Sequence, residues 1–323
     1  MAGRNGSPSG FFCKLMPTRI LDPVEIEQLS ASEIPFLRLP DRSCLFSERA
    51  ARLRKLAPEH PMGDYLLLIA AIAETQQWLL ENMPPVNLPK PEQIRLCKEH
   101  GMPPLNSNSY HRDRMWCDLL RRMLRRLADE TEGEVRKIIM RLEGSRDEFY
   151  EAQASKLLAA ITFGLDTATA PLLGSALQVY WVHMATALGL QSFGRIDAPN
   201  VCPVCGSRPV ASIVRIGAQE SGHRYLHCSL CSAEWHMVRI KCSNCETTKG
   251  IHYWGIEGGS KAIQAESCDA CGTYLKIFYM ERDNQVEPTA DDVASIQLDL
   301  LVSEKSKLRS GGNFMLIHGE AGD

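Results

Sequence analysis

A chain of 323 residues that is 44% hydrophobic and 23% charged carries enough apolar material for more than one folding unit, which excludes global disorder. Its 36 basic and 39 acidic residues leave a formal charge of −3, so composition implies no bulk attraction to nucleic acid or to an anionic membrane. The most apolar stretch, Tyr65 to Ala73, falls far short of the roughly 20 residues that cross a bilayer, and no membrane insertion is expected.

In chain order, residues 1–20 read as a disordered tail: Met1 to Lys14 is rich in Gly and Ser and shows no secretory pattern, which points to the cytoplasm. Residues 21–195 read as a helical domain. Apolar residues there recur every three or four positions, and Pro or Gly breaks at Met83-Pro84-Pro85, Gly101 to Pro104 and Gly164 to Pro171 separate the runs. Helices are expected at Asp22 to Leu29, Ser47 to Ala57, Asp64 to Asn82, Pro91 to His100, Glu134 to Leu142, Glu148 to Phe163 and Leu172 to Leu188, with Asp64 as a helix cap. The clearest stripe is Trp116, Leu119, Leu120, Met123, Leu124 and Leu127, with Cys117 in the core and Arg121, Arg122, Arg125 and Arg126 on a solvated face.

Beyond Gly194 the composition changes to Cys, Gly and β-branched residues. Short strands are expected at Ala211 to Ile216, Arg224 to His227, Glu234 to Ile240, Ile251 to Ile256, Ala262 to Glu266 and Tyr274 to Met280. Residues 286–323 read as a C-terminal helix and tail, with the helix over Thr289 to Leu308 able to pack back on the first domain.

Eight of the twelve cysteines form four Cys-x-x-Cys pairs: Cys202/Cys205, Cys228/Cys231, Cys242/Cys245 and Cys268/Cys271. Twenty-two residues separate the first two pairs and again the last two, so one unit repeats with a period of 40. Each unit reads as a knuckle, a hairpin, a second knuckle and a third strand, giving two tandem modules of rubredoxin or zinc-ribbon type at 196–240 and 241–285. Gly206 and Gly272 follow their knuckles and can take positive φ, turning amides toward sulfur. Site 1 is therefore expected to be Cys202, Cys205, Cys228 and Cys231, and site 2 Cys242, Cys245, Cys268 and Cys271. Pairs two and three, ten residues apart, leave a shared ion formally open. Four thiolates suit zinc, a mononuclear iron or an iron–sulfur cluster, and spacing does not choose among them. His227 and Trp235, beside the knuckles, are candidates for contacts that tune the first site.

The chain resembles the formate dehydrogenase accessory protein (FdhE) family. The resemblance spans most of the chain and is carried by Arg19-Ile20-Leu21, Pro35-Phe36-Leu37-Arg38-Leu39-Pro40, Leu45-Phe46, Arg49-Ala50-Ala51-Arg52-Leu53, His60-Pro61-Met62-Gly63-Asp64-Tyr65-Leu66, the four cysteine pairs and Trp235-His236. It implies a cytoplasmic, non-enzymatic factor for biogenesis of respiratory formate dehydrogenase that binds the catalytic subunit before export. It also implies iron in two mononuclear four-cysteine sites, with zinc as the alternative.

Two rivals follow from the residues themselves. A zinc-ribbon nucleic-acid-binding protein needs a basic surface, yet Cys202 to Cys271 holds seven Lys or Arg against six acids. A purely structural zinc protein needs only closed shells. No glycine-rich nucleotide loop, zinc-protease helix or serine elbow is present, so no catalytic residues and no organic cofactor are expected. The Arg-rich segment from Arg38 to Arg54 is either core chemistry or a client surface.

Overall fold

Residues 34–217 and 220–316 are described by the computed structural model of the protein. The expected N-terminal tail, the helix at Asp22 to Leu29, Cys13 and the Arg19-Ile20-Leu21 element lie outside them. From Pro35 onward the described residues form one compact unit, in which helices, a sheet bearing two cysteine clusters and C-terminal helices follow in order.

Among the described residues, seven α-helices build the first part: α1 (Leu45–Leu56), α2 (Gly63–Glu81), α3 (Pro91–Glu99), α4 (Met115–Glu130), α5 (Gly133–Glu143), α6 (Asp147–Leu158) and α7 (Ala170–Leu188). Helix α7 is apolar on nearly every side, and such a helix must be surrounded. It is buried from Leu172 to Ala185 and packs against α2, α4 and α6. Helix α4 presents the expected stripe: Trp116, Cys117, Leu119, Leu120, Met123, Leu124 and Leu127 are all buried. Its arginines are held by local acids and rings, Arg121 by Asp147, Arg125 by Glu143, and Arg122 and Arg126 over Trp78. They form a paired surface, as the solvated-face reading expects.

Some helix ends fall differently from their expected positions. Asp64 lies inside the first turn of α2, and Met62 occupies the cap position with no side-chain bond. The helix expected to reach Phe163 stops at Leu158, because Ala160 turns into the left-handed region and Ile161 N–H bonds back to Lys156 O (2.9 Å). The single C-terminal helix is instead two, α8 (Pro288–Ala294) and α9 (Ile296–Ser303), broken at Ser295. There Lys276 Nζ captures the Ser295 carbonyl (3.2 Å) and hydroxyl (3.0 Å).

Strand β1 (Leu37–Arg38) precedes the helices, and β2 (Pro209–Val214), β3 (Arg224–Cys228), β4 (Glu234–His236), β5 (Ile251–Trp254), β6 (Ile263–Cys268), β7 (Thr273–Tyr279) and β8 (Leu308–Arg309) follow them. Each cysteine unit forms an antiparallel meander, β2-β3-β4 or β5-β6-β7. The two meanders share one sheet, in the order β1-β4-β3-β2-β7-β6-β5, because β2 pairs in parallel with β7 through Ser212↔Ile277 to Val214↔Tyr279. Joining these strands removes an open edge from each module. At the far side, β1 pairs with β4 (Leu37↔Trp235, Arg38↔Glu234) and ties the start of the helical region to the first module.

Buried charges fasten the C-terminal helices. Arg52 of α1 bonds Asp291 of α8 at 2.6 and 2.9 Å and Asp283 at 2.7 Å, while Arg49 contacts Glu287 at 3.1 Å. Within the Arg-rich segment, Arg49 and Arg52 are thus interior, while Arg38 and Arg42 are half-buried and Arg54 is exposed. Lys276 of β7 is fully buried beside Asp292 (3.2 Å) and Asp299 (2.5 Å), and Arg309 of β8 joins the same two carboxylates.

This cluster yields a stability prediction. Burial opposes ionisation of Asp292, but Arg309 and Lys276 hold its carboxyl below the ordinary carboxylate range. Its contribution is thus complete above that range and is lost as pH falls through the lowered value. Replacing Lys276 by Met leaves two buried carboxylates short of a cation and is expected to cost about 3–5 kcal/mol in urea unfolding at neutral pH, with a smaller cost in acid. An equal cost at both pH values would contradict this account.

Candidate metal centres

Each Cys-x-x-Cys turn is closed in the same way. The residue after the second cysteine adopts positive φ in all four: Gly206 (72°), Ser232 (55°), Glu246 (59°) and Gly272 (68°). The expected glycines are thus matched at the other two knuckles by Ser and Glu, residues that pay a modest steric cost there. Inside three of the turns an amide meets the first sulfur, Val204 N–H to Cys202 Sγ, Leu230 N–H to Cys228 Sγ and Asn244 N–H to Cys242 Sγ, each at 3.4 Å, whereas the expected glycine amides bond carbonyls instead, Gly206 N–H to Cys202 O (2.8 Å) and Gly272 N–H to Cys268 O (3.0 Å).

The meanders bring all eight cysteines together in two groups. Cys202, Cys205, Cys228 and Cys231 form one cluster and Cys242, Cys245, Cys268 and Cys271 the other, with the sulfurs of each group within 4.8 Å of one another. Neighbouring sulfurs lie 3.4 and 3.5 Å apart in the first cluster and 3.7 Å apart in the second. A tetrahedral ion with metal–sulfur bonds of about 2.3 Å spaces its sulfurs by about 3.8 Å, so both groups have the dimensions and the all-thiol donor set of such a shell. Each cluster can hold a metal ion, and the donors do not distinguish iron from zinc. The grouping is sequential; pairs two and three do not share a cluster.

The electrostatics point the same way. Burial pushes the Cys202 and Cys231 thiols well above the ordinary range. Burial opposes ionisation of Cys205 as well, but hydrogen bonds from its neighbouring thiols and Ser207 bring it down. Four thiolates at this spacing therefore need a cation between them to coexist. In the second cluster burial pushes Cys242 up to about 12. It also opposes ionisation of Cys271, whose bonds from the Thr273 hydroxyl and amide prevail and lower it to about 6.

The surroundings differ sharply. The four sulfurs of the first cluster belong to the main apolar core together with α7 and Val204. Leu105 N–H bonds Val204 O (3.0 Å), Ser107 N–H bonds Cys205 O (2.8 Å), and Gln178 Nε2 of α7 bonds Ser229 O (2.8 Å), so the helical region grips both knuckles. In the second cluster Cys242 and Cys268 are buried, Cys271 is half-buried and Cys245 is exposed. Asn244, inside its first knuckle, receives Arg208 Nη1 (2.8 Å) and its carbonyl receives Asn200 Nδ2 (3.2 Å), which join the two modules.

His227 Nδ1 meets Glu234 Oε1 at 3.1 Å beside Cys228, and Trp235 Nε1 bonds Pro199 O (2.8 Å), so both brace the first module. Gln178, Leu105 and Ser107 carry no pattern that a sequence reading could flag, since each acts through a partner more than 30 residues away.

A helical body that carries two four-cysteine clusters on one shared sheet defines a protein built to present paired sulfur-rich ion sites. The comparisons with known proteins give the family. Models for the FdhE N-terminal region (residues 34–195), the FdhE central domain (201–239) and the FdhE C-terminal domain (240–316) match in succession. "Protein FdhE homolog" of Cronobacter sakazakii is 41% identical, and "Protein FdhE" of Salmonella dublin 40%, each over 94% of this chain and 99% of the relative. The crystal structure of the FdhE protein from Pseudomonas aeruginosa superimposes with a TM-score of 0.82 at 39% identity, covering 88% of this chain and all of that one. The chain belongs to the FdhE family.

Grouping and burial together generate a metal-content prediction. Cys245→Ser is expected to lower bound metal from two equivalents per chain to one while leaving thermal unfolding nearly unchanged. Cys205→Ser should also lose one equivalent and destabilise by several kcal/mol, on the order of 3, because its sulfur sits in the core. Loss of both equivalents from Cys245→Ser, read by elemental analysis, would contradict the sequential grouping.

Proposed function

We propose that this protein is a cytoplasmic maturation factor for a respiratory formate dehydrogenase, binding the catalytic subunit before export and holding iron in both four-cysteine clusters. The observation that carries the reading is the successive match to FdhE family models over residues 34–195, 201–239 and 240–316 with both four-sulfur clusters intact. A non-enzymatic role suits a chain whose most concentrated chemistry is two all-cysteine shells, which leave no coordination position free for a substrate. No helix among the described residues is long and apolar enough to cross a membrane, in keeping with action before export.

Iron in such a shell supplies a one-electron change of charge without a change of ligands. Cys202, Cys205, Cys228 and Cys231 would hold one ion, and Cys242, Cys245, Cys268 and Cys271 the other. The amides of Val204, Leu230 and Asn244 point at sulfur, and such bonds stabilise the more negative, reduced state of a thiolate site. The client's cofactor could then be adjusted or its loading checked by a protein that itself turns over no substrate.

Expression of the chain in a bacterium deleted for its own FdhE-family protein tests the reading. Restored formate dehydrogenase activity and co-purification of the catalytic subunit with the tagged chain are expected. Anaerobic purification should return iron in both shells, with the visible and paramagnetic spectra of a ferric four-thiolate site. Failure to restore activity or capture the subunit would overturn the assembly role, and zinc alone in a fully active protein would overturn the iron assignment.

A further inference from the structure

Two clusters of identical donor sets sit in opposite surroundings. Cys202, Cys205 and Cys231 are 0% exposed and Cys228 is 1% exposed. They are covered by the helical region through Leu105, Ser107 and Gln178. Arg49 adds a further contact, its Nη2 lying 3.4 Å from Ser232 Oγ at the end of the second knuckle. Opening this shell means parting the helical core from the sheet.

The second shell has no such cover. Cys245 reaches solvent and Cys271 is partly open, while Cys242 and Cys268 anchor the opposite side of the cluster. Neither knuckle belongs to the main core. The strands and loops of the same module leave apolar side chains uncovered, with Tyr253 45% exposed and Ile256 38%. What holds the shell in place comes mainly from the buried side. Arg224 of β3 bonds Lys241 O, next to Cys242 (3.0 Å), and Glu266, two residues before Cys268 (2.9 Å). Lys307 Nζ reaches Cys268 O (3.3 Å). Cys242 and Cys268 are thus braced from the buried side, whereas Cys245 itself reaches solvent between Asn244, which Arg208 and Asn200 hold, and Glu246, whose side chain makes an exposed pair with Lys241.

We propose that the clusters divide their work: the first holds a permanent structural ion within the core, and the second is an exchange site at which an external soft ligand, a thiolate above all, replaces Cys245. In that exchange the incoming sulfur donor forms one metal–sulfur bond as the bond to Cys245 Sγ breaks. Cys245 leaves as a thiolate that solvent protonates, and no electron is transferred. The buried cysteines Cys242 and Cys268 keep their places, so the ion can be presented, received or released without unfolding of the sheet. This division deepens the metal reading above and is independent of which client the protein serves.

Stopped-flow release of zinc from the full chain, reconstituted with two equivalents, to the chromogenic chelator 4-(2-pyridylazo)resorcinol tests it. Release is expected in two equal phases differing by roughly a hundredfold or more, since one requires only local opening and the other near-global opening. A small dithiol such as dithiothreitol should accelerate the fast phase alone. Cys245→Ser should abolish the fast phase and preserve the slow one, with the far-UV spectrum unchanged. Arg224→Met should speed the fast phase further while leaving the slow phase in place. One rate for both equivalents, or a fast phase that survives Cys245→Ser, overturns the division of labour but leaves the assembly role untouched. Failure of client capture overturns that role without altering these rates.

Discussion

The first four-sulfur cluster is the constraint on which the molecule depends. Its knuckles are simultaneously the end of the β2-β3-β4 meander and the surface on which α7 and the 105–107 segment rest. Four buried sulfurs cannot all ionise among apolar neighbours unless a cation compensates them, so an ion held there would be coupled to the packing of helices on the sheet. The helical region and the sheet are consequently not independent bodies linked by a tether.

The sheet extends that coupling to the second module. Parallel pairing of β2 with β7 places the two meanders edge to edge, and Arg224, buried with Glu266, crosses from one to the other. Arg208 and Asn200 reach Asn244 in the opposite knuckle. The C-terminal helices complete the frame: Arg52 fixes α8 to α1, and Lys276 fixes the α8/α9 junction to β7. The second cluster thereby rests on a rigid base on one side and meets water on the other.

This asymmetry gives physical content to the proposed assembly role. A sealed shell contributes folding free energy and little else, because any partner must first disrupt the core. A half-open shell with a braced floor can meet a partner's ligand or exchange an electron at its exposed sulfur. Apolar side chains left uncovered in the same module, including Tyr253 and Ile256, offer contact area beyond the sulfur itself.

Much of this was legible without coordinates. The equal 22-residue frames gave the sequential grouping of cysteines, because a hairpin of fixed length returns the second knuckle to the first. The α4 stripe announced its burial through periodicity alone. Helix ends were less readable: Ala160 and Ser295 look ordinary in sequence, and they break helices because of backbone turns and a Lys276 contact made elsewhere. Only the tertiary structure joined two repeated modules through β2 and β7, buried one cluster and left its twin open at Cys245. Local spacing determines which sulfurs can meet, whereas depth depends on what packs above them, and that is decided by residues far away in the chain.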